Sequence, residues 1–301
     1  MQGILGVHFK LLRMIASKEN KFLYILIALL LVVDVVYANN QVFEKFHELK
    51  WIGYSPTNFN PAKGIYPSVK SIKKDLRVLK KAGFSGIVTY GSDGIFGDIP
   101  RMAHDAGFSG VIMGVWDPNR KEEILNAIAA KEWVDAYCVG NEGYKSRYPS
   151  ELLKKKMRVI RKRTGKLVTT AERIEEYYRK KDLAKISDFI LCNAHPVWSG
   201  VYEPAKASKW LEEKVRNLKK SLKRRNIKKL IIVKEAGCPT KGSKYLSAEN
   251  QRLFFEKLEA TDVNFVYFEA FDQPWKQYHA FEPYWGIFDS QRRPKYKSLF
   301  K

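Results

Sequence analysis

The sequence predicts an α/β protein with a single (β/α)8 TIM barrel after a hydrophobic N-terminal segment. Eight short apolar runs alternate with polar stretches of helical periodicity over about 250 residues, and this fold has eight strand–helix units in a chain of about that length. A doubly wound open sheet is the alternative, but it usually needs fewer strands and a Gly-rich GxGxxG turn, which this chain lacks. No linker or low-complexity stretch splits the chain after residue 45, so we assign residues 39–301 to one domain.

The predicted strands are short apolar runs, each followed by a polar stretch. They cover Trp51–Tyr54, Gly86–Tyr90, Gly110–Trp116, Val134–Val139, Leu167–Thr170, Phe189–Asn193, Leu230–Val233 and Phe265–Phe268.

Three of the intervening helices can be identified from apolar residues at intervals of three or four. Gly83 is the predicted stop of the first helix, and Ser247 is the predicted N-cap of the last. The apolar positions are Val69, Ile72, Leu76 and Leu79, then Leu211, Val215, Leu218 and Leu222, and finally Leu253, Phe254 and Leu258.

The chain is strongly basic, with 54 Lys and Arg against 32 Asp and Glu and a net charge of +22. Much of this charge lies in two runs, Lys154–Lys166 and Lys206–Lys229, on predicted helices. We interpret both runs as solvated outer helix faces and expect no nucleic-acid partner. Binding of anionic polymers or lipid head groups is the competing interpretation.

The N-terminal segment resembles a secretory signal. An apolar run of 12 residues, Phe22–Val33, follows several basic residues, and Val36-Tyr37-Ala38 offers small side chains where a signal peptidase cleaves. We therefore expect residues 1–38 to be removed and the rest to act outside the cytoplasm. An uncleaved membrane anchor over residues 22–38 is the alternative, although a spanning helix needs about 20 apolar residues and Asp34 interrupts this one.

Only three cysteines are present, without paired spacing, which excludes a disulfide scaffold and a zinc ribbon. The apolar surroundings of Cys138 and Cys192 predict buried thiols.

In a barrel of this class, chemistry belongs at the C-terminal ends of the strands. The residues predicted there are carboxylates, aromatics and a single histidine, His195, without a metal-ligand pattern or a nucleotide-binding loop. We therefore expect no metal ion and no cofactor.

Two rim glutamates among aromatic side chains suit glycosidic bond cleavage. One carboxyl must be protonated to donate a proton to the leaving oxygen, and the other must be ionised to attack the anomeric carbon. Flat aromatic faces suit the apolar faces of sugar rings. The tryptophans that fall just beyond predicted strands are Trp116, Trp198, Trp275 and Trp285.

Four segments at these strand ends resemble glycoside hydrolase family 17, the β-1,3-glucanase family, in its microbial branch. They occur in the family's order between about residues 51 and 296. The segments are Tyr137–Glu142 (YCVGNE), Ile232–Thr240 (IVKEAGCPT), Phe268–Lys276 (FEAFDQPWK) and Trp285–Asp289 (WGIFD).

The resemblance implies a role for each matching residue. Glu142 would be the general acid/base, Glu235 the nucleophile, and Asn141 a partner of the sugar 2-hydroxyl. It also implies retention of anomeric configuration through a covalent glycosyl-enzyme. Further substrate-binding positions would be Tyr54, Tyr90, His195, Trp198, Glu269, Asp272, Trp275 and Lys276.

The chain departs from the family pattern at three positions. Val88 replaces an arginine that could orient the nucleophile, so this task must fall to another group or go undone. Cys238 replaces an aromatic residue, which predicts a smaller pocket wall, and Gln273 stands where an acid is common. The short connection from Pro196 to Lys206 predicts a short groove, which favours exo-action, oligosaccharide processing or glucanosyl transfer over deep endo-cleavage.

The sequence thus predicts an exported, monomeric, retaining hydrolase or transglycosylase whose partner is β-1,3-glucan or its oligosaccharides. A non-catalytic glucan-binding or envelope protein on the same barrel is the alternative.

Overall fold

The computed structural model describes residues 43–180 and 182–296. The predicted signal or anchor segment, with its cleavage site after Ala38, lies outside the described residues. Within the described residues, no helix combines the length and the apolar character that a membrane crossing requires. From Lys45 onward the chain forms one compact unit.

Eight parallel strands close into a barrel, which confirms the predicted fold class. Each strand pairs with its successor in the sequence, and the eighth pairs with the first through Ile52 and Tyr267. The strands are β1 (Trp51–Tyr54), β2 (Gly86–Thr89), β3 (Gly110–Val115), β4 (Ala136–Asn141), β5 (Leu167–Arg173), β6 (Ile190–Asn193), β7 (Ile231–Ala236) and β8 (Phe265–Tyr267).

Helices surround the barrel. The side chains of Ser68 and Ser247 accept hydrogen bonds from the backbone N–H groups three residues ahead, and each thereby caps a helix. The predicted cap at Ser247 is confirmed. The helices are α1 (Val69–Lys81), α2 (Ile99–Asp105), α3 (Lys121–Ala129), α4 (Ser150–Thr164), α5 (Glu176–Arg179), α6 (Leu183–Ile186), α7 (Pro204–Arg224) and α8 (Ala248–Glu259).

The hydrophobic core joins the strands to the surrounding helices. Ile52, Ile87 and Val233 of the strands belong to the same buried cluster as Leu76 of α1 and Leu211 of α7. Close packing of such side chains holds the strand ends in fixed relative positions. The free thiols of Cys138, Cys192 and Cys238 are all buried, as predicted for the first two.

Three strands extend further toward their C-terminal ends than predicted. β4 reaches Asn141, β5 reaches Arg173 and β7 reaches Ala236. Polar residues remain in these strands because pairing with neighbouring strands satisfies their backbone groups; Asn141, for example, pairs with Ala171. Candidate site residues therefore lie inside strands and not only in the loops that follow them.

The two basic runs lie on the outer ring of helices, as interpreted from the sequence. α4 buries Leu153, Met157 and Ile160 against the barrel, and α7 does the same with a longer apolar stripe. Their exposed basic residues include Lys155, Arg158, Lys162, Arg163, Lys209, Lys219, Lys220, Lys223 and Arg224.

Candidate active site

A cavity of ≈1190 Å³ opens at the C-terminal ends of the strands. Eight of the eleven predicted site residues line it. They are Tyr90, Asn141, Glu142, His195, Trp198, Glu235, Trp275 and Lys276.

A constrained backbone places Glu142 at the end of β4. The pairing of β4 with β5 shifts register between Cys138 and Asn141, and Glu142 has a φ of 49°, which is unusual for a residue other than glycine. Gly140 has a φ of 78° and lies against the ring of Tyr148, where a Cβ would collide. Such conformations persist where the surrounding structure enforces them, and they often mark functional sites.

Glu172, which is not among the predicted site residues, supports this turn from β5. Its buried carboxylate accepts hydrogen bonds from the backbone N–H groups of Gly143 at 2.9 Å and Tyr144 at 2.8 Å. Burial raises the pKa of Glu172, and these hydrogen bonds oppose that change. The turn that carries Glu142 is therefore held from the neighbouring strand.

The side-chain amide of Asn193 connects Asn141 and Glu142. Asn193, at the end of β6, donates from Nδ2 to Glu142 Oε1 at 2.8 Å and to Asn141 Oδ1 at 3.1 Å. Asn193 ends a predicted strand, but no role in the site was assigned to it from the sequence. Its position beside the acid/base candidate makes it a further residue of the site.

Glu235 lies in β7 with two basic neighbours. Its Oε1 accepts from Lys234 Nζ at 2.6 Å, and its Oε2 lies 3.1 Å from His195 Nε2. Burial raises the pKa of Glu235, but the Lys234 ammonium and the hydrogen bond from His195 outweigh burial and lower it to about 2. This carboxyl is therefore ionised at neutral pH.

Lys234 supplies a cation next to Glu235, where Val88 leaves no arginine. Val88 of β2 is buried and apolar, so no guanidinium approaches the nucleophile candidate from that position. The structure instead brings the ammonium of Lys234, the residue before Glu235, to the same carboxylate. No motif in the sequence indicated which way this side chain points.

Tyr90 and His195 close the cavity around Glu235. The ring centroid of Tyr90 is 4.4 Å from Lys234 Nζ. Burial, followed by the Glu235 and Glu269 carboxylates, raises the pKa of Tyr90 well above its ordinary value, so the phenol stays protonated. His195 packs against the ring of Trp285 at 5.1 Å.

Two of the predicted substrate-binding residues, Tyr54 and Asp272, do not line the cavity. The Tyr54 hydroxyl donates to Asp75 at 2.9 Å. Asp272 accepts from Lys295 Nζ at 2.6 Å and from the Gly286 N–H at 3.0 Å. Tyr54 ends β1 and Asp272 lies in the loop after β8, and both side chains contact partners outside the cavity lining.

Glu269 also lies outside the cavity lining, behind Lys276. It is fully buried, and its Oε1 accepts from Lys276 Nζ at 2.7 Å. Burial raises the pKa of Glu269 to about 7, although the Lys276 ammonium opposes this change. Its position favours an influence on the site through Lys276 over direct contact with substrate.

Aromatic side chains line the cavity at several positions. Trp275 packs edge-on against Phe59 at 5.7 Å. Trp198 is half-exposed and packs against Phe281 at 4.7 Å. Trp116, from the end of β3, adds an exposed ring. Sugar rings present apolar faces, and aromatic surfaces of this kind suit them.

Cys238 and Gln273 are two of the positions at which the chain departs from the family 17 pattern. Cys238 is buried and does not line the cavity, so no side chain at this position contributes to the pocket wall. Gln273 accepts from Trp275 Nε1 at 2.8 Å and donates to the Ser55 carbonyl at 3.0 Å. The amide thus orients Trp275 and ties the loop after β8 to the loop after β1.

Solved structures with this fold include two enzymes that act on sugars. The β-1,3-glucanase and allergen CJP38 of Cryptomeria japonica pollen matches with a TM-score of 0.65 and 14% identity, over 84% of this chain and 99% of that chain. A β-D-glucuronidase of Dictyoglomus thermophilum matches with a TM-score of 0.60 and 17% identity, over 84% of this chain and 50% of that one. At these identities the likeness shows the fold alone.

Two curated relatives are named glucan 1,3-β-glucosidase. The protein of Arthroderma benhamiae is 26% identical over 259 residues, which cover 75% of this chain and 83% of the relative. The protein of Saccharomyces cerevisiae is 29% identical over 123 residues, or 36% of this chain and 39% of the relative.

The family model of the BtgE/BtgC glycoside hydrolase domain matches residues 52–286, which span the barrel from β1 to the loop after β8. This match includes Glu142, Glu235 and every other residue described above as lining the cavity. The chain is therefore a glycosidase, and it belongs to the BtgE/BtgC glycoside hydrolase domain family.

Proposed function

We propose that this glycosidase is a retaining enzyme of the family 17 type that acts on β-1,3-glucan or its oligosaccharides. The observation that carries the proposal is the contrast between two carboxyls in one cavity. Glu235 has two basic neighbours, whereas the side chain of Glu142 contacts the neutral amide of Asn193. Two carboxyls in different environments are what an acid/base and a nucleophile require.

The reaction follows from these environments in two displacements. The Glu235 carboxylate attacks the anomeric carbon, the glycosidic C–O bond breaks, and Glu142 donates its proton to the leaving oxygen. In the second step, Glu142 removes a proton from water as the water oxygen attacks the anomeric carbon, and the bond to Glu235 breaks with return of its electron pair to the carboxylate. A sugar hydroxyl in place of water completes a transglycosylation.

The substrate class rests on two further observations. The two curated relatives carry the name glucan 1,3-β-glucosidase, and the cavity offers aromatic walls around the carboxyls. The connection between β6 and α7 covers only residues 194–203. This short connection supports action on oligosaccharides or chain ends more than on the middle of a long chain.

The test is product analysis with a series of β-1,3-glucan oligomers. The wild-type enzyme is expected to release sugars whose first-formed anomer is β by proton NMR, because two inversions give net retention. Chain-length analysis separates water from sugar as acceptor, since transfer produces oligomers longer than the substrate. Glu235→Gln should release no sugars and form no longer oligomers. Binding of the oligomers without turnover by the wild-type protein would favour a glucan-binding role, and an α product would contradict retention.

We also propose that the enzyme is exported. The support is the layout of residues 1–38, in which a basic region, an apolar run and small residues at a cleavage site follow one another. Protein isolated from the native host should begin at Asn39 and occur outside the cytoplasm. A Met1 or Met14 start in the membrane fraction would indicate an anchor, and an intact soluble cytoplasmic chain would refute export.

A further inference from the structure

Lys234 is a buried cation in the middle of the candidate active site. Only 1% of the residue is exposed, and its ammonium lies on the face of Tyr90. Nζ donates to Glu235 Oε1 at 2.6 Å and to Asn141 Oδ1 at 2.7 Å. Removing an ammonium group from water is costly unless charged and polar partners surround it. This side chain has a carboxylate, an amide carbonyl and an aromatic face as such partners.

The contacts of Lys234 connect the two candidate catalytic carboxyls. From Glu235, the chain of hydrogen bonds continues through Lys234 to Asn141, through Asn193, and to Glu142. Each link is a side-chain contact; Lys234 and Glu235 are neighbours in β7, and the other links join different strands. A displacement at Lys234 is therefore expected to reach both carboxyls.

The same contacts orient the amide of Asn141. Its Oδ1 accepts from both Lys234 and Asn193, so the carbonyl end is held by protein donors. The amide nitrogen forms no side-chain hydrogen bond within the described residues, and Asn141 lines the cavity. Lys234 thereby selects the rotamer in which the N–H donors of Asn141 remain available to a ligand.

We propose that Lys234 is a positioning residue for both displacements of the proposed reaction. It holds Glu235 ionised and correctly oriented for attack, and it keeps the amide donors of Asn141 directed to substrate. In the second displacement, it stabilises the Glu235 carboxylate as this group leaves the anomeric carbon. The inference rests on the proposed function and adds to it a residue outside the acid/base and nucleophile pair.

The second displacement is the step most sensitive to this cation. When the bond between the anomeric carbon and Glu235 breaks, the electron pair returns to the carboxylate oxygen, and the attacking water transfers its proton to Glu142. Negative charge therefore develops next to the Lys234 ammonium, and both side chains are buried. A fixed charge in this position stabilises the transition state more effectively than it would in water.

The test compares Lys234→Met with the wild type on an aryl β-glucoside with an activated leaving group. Hydrolysis of the glycosyl-enzyme should become rate-limiting, so kcat and KM should fall together, by about tenfold or more. A burst of aryl alcohol should precede the steady state. Lys234→Gln keeps hydrogen-bond donors without the charge, and it should show the same changes to a smaller degree.

The pH profile of kcat/KM separates positioning from general loss of structure. In the wild type, the pKa of Glu235 is about 2, so kcat/KM should show no acid limb down to about pH 4. In Lys234→Met, burial still raises the pKa of Glu235, and of the two basic neighbours only His195 remains to lower it. The acid limb should therefore appear at a pH above 4.5, the ordinary pKa of a glutamate. Activity should therefore be lost as the pH falls toward 4 in the variant only.

Lys295→Met is the matched control, because Lys295 also forms a buried pair with a carboxylate at 2.6 Å but lies outside the cavity lining. It should not move the acid limb. An unmoved acid limb in both Lys234 variants, with kcat and KM falling no more than in the control, would overturn the proposal.

A carboxyl titration distinguishes failure of this inference from failure of the proposed function. The carbon-13 resonance of the Glu235 carboxyl, assigned by its absence in Glu235→Gln, should titrate about 1 to 3 pH units higher in Lys234→Met than in the wild type. This readout needs no turnover. If the wild type hydrolyses no β-glucoside, the proposed function fails, and an unchanged titration still refutes the inference about Lys234.

Discussion

Replacing Glu235 with alanine should abolish turnover on every β-glucoside, with a loss of about 10⁴-fold or more in kcat. The group that forms the covalent intermediate would be absent, and no other described carboxylate accepts from both Lys234 and His195. Glu142→Ala should have a smaller effect that depends on the leaving group. The loss should be about 10²- to 10⁴-fold on glucan oligomers but much smaller for the first displacement of an activated aryl glucoside, which needs little protonation.

Azide distinguishes the roles of the two glutamates, because the two variants should give different products. In Glu235→Ala, azide can occupy the place of the missing carboxylate and attack the anomeric carbon directly, which gives an α-glycosyl azide by a single inversion. In Glu142→Ala, azide attacks the covalent intermediate and gives a β-glycosyl azide. Glu249→Ala, which removes an exposed carboxylate in α8, is the control and should behave as the wild type. Equal losses for both site variants on the activated substrate, or the reverse pattern of azides, would refute the assignment.

The largest effect on stability is expected from Asp75→Ala. The Asp75 carboxylate is fully buried in α1 and forms an ion pair with Arg292 at 2.6 Å. It also accepts from the Tyr54 hydroxyl and from the Thr57 N–H, each at 2.9 Å. Its removal would leave the Arg292 guanidinium without its charge partner and would take the acceptor from the Tyr54 hydroxyl and from the N–H and hydroxyl of Thr57. The free energy of unfolding should fall by about 3–5 kcal/mol.

Urea denaturation measures this change, again with Glu249→Ala as the control. Glu249 pairs with Arg252 at 2.6 Å on the surface, so its loss should cost no more than about 1 kcal/mol. Asp75→Leu combined with Arg292→Met leaves no buried charge unpaired and should recover part of the stability lost in Asp75→Ala. A loss in Asp75→Ala no larger than in the control would show that the buried pair contributes little.

Asp75 also accounts for the position of Tyr54 outside the cavity lining. The hydroxyl of Tyr54 is committed to a carboxylate between the barrel and α1, and Thr57 of the following loop shares the same acceptor. The loop after β1 is thereby fixed to α1, and it carries Phe59 to the cavity. Tyr54 contributes to the site by holding this loop in place.

The fold and the location of the site followed from the sequence because both depend on local patterns. Each barrel strand is buried, so it requires a continuous apolar run, and each outer helix requires apolar residues at helical spacing. The same patterns show where strands end, and parallel strands bring all those ends to one rim. These patterns alone place Glu142, His195 and Glu235 on this rim.

Only the tertiary structure decided which rim side chains face the cavity and what surrounds them. Asn141 and Lys234 are 93 positions apart in the sequence and Asp75 and Arg292 are 217 apart, and no local pattern links either pair. Side-chain direction at a strand end depends on register shifts such as the one before Asn141, and on partners that other strands supply. The ionisation of Glu235, the supporting role of Tyr54 and the contacts of Lys234 all follow from such long-range neighbours, because electrostatic and hydrogen-bond energies depend on distance in space.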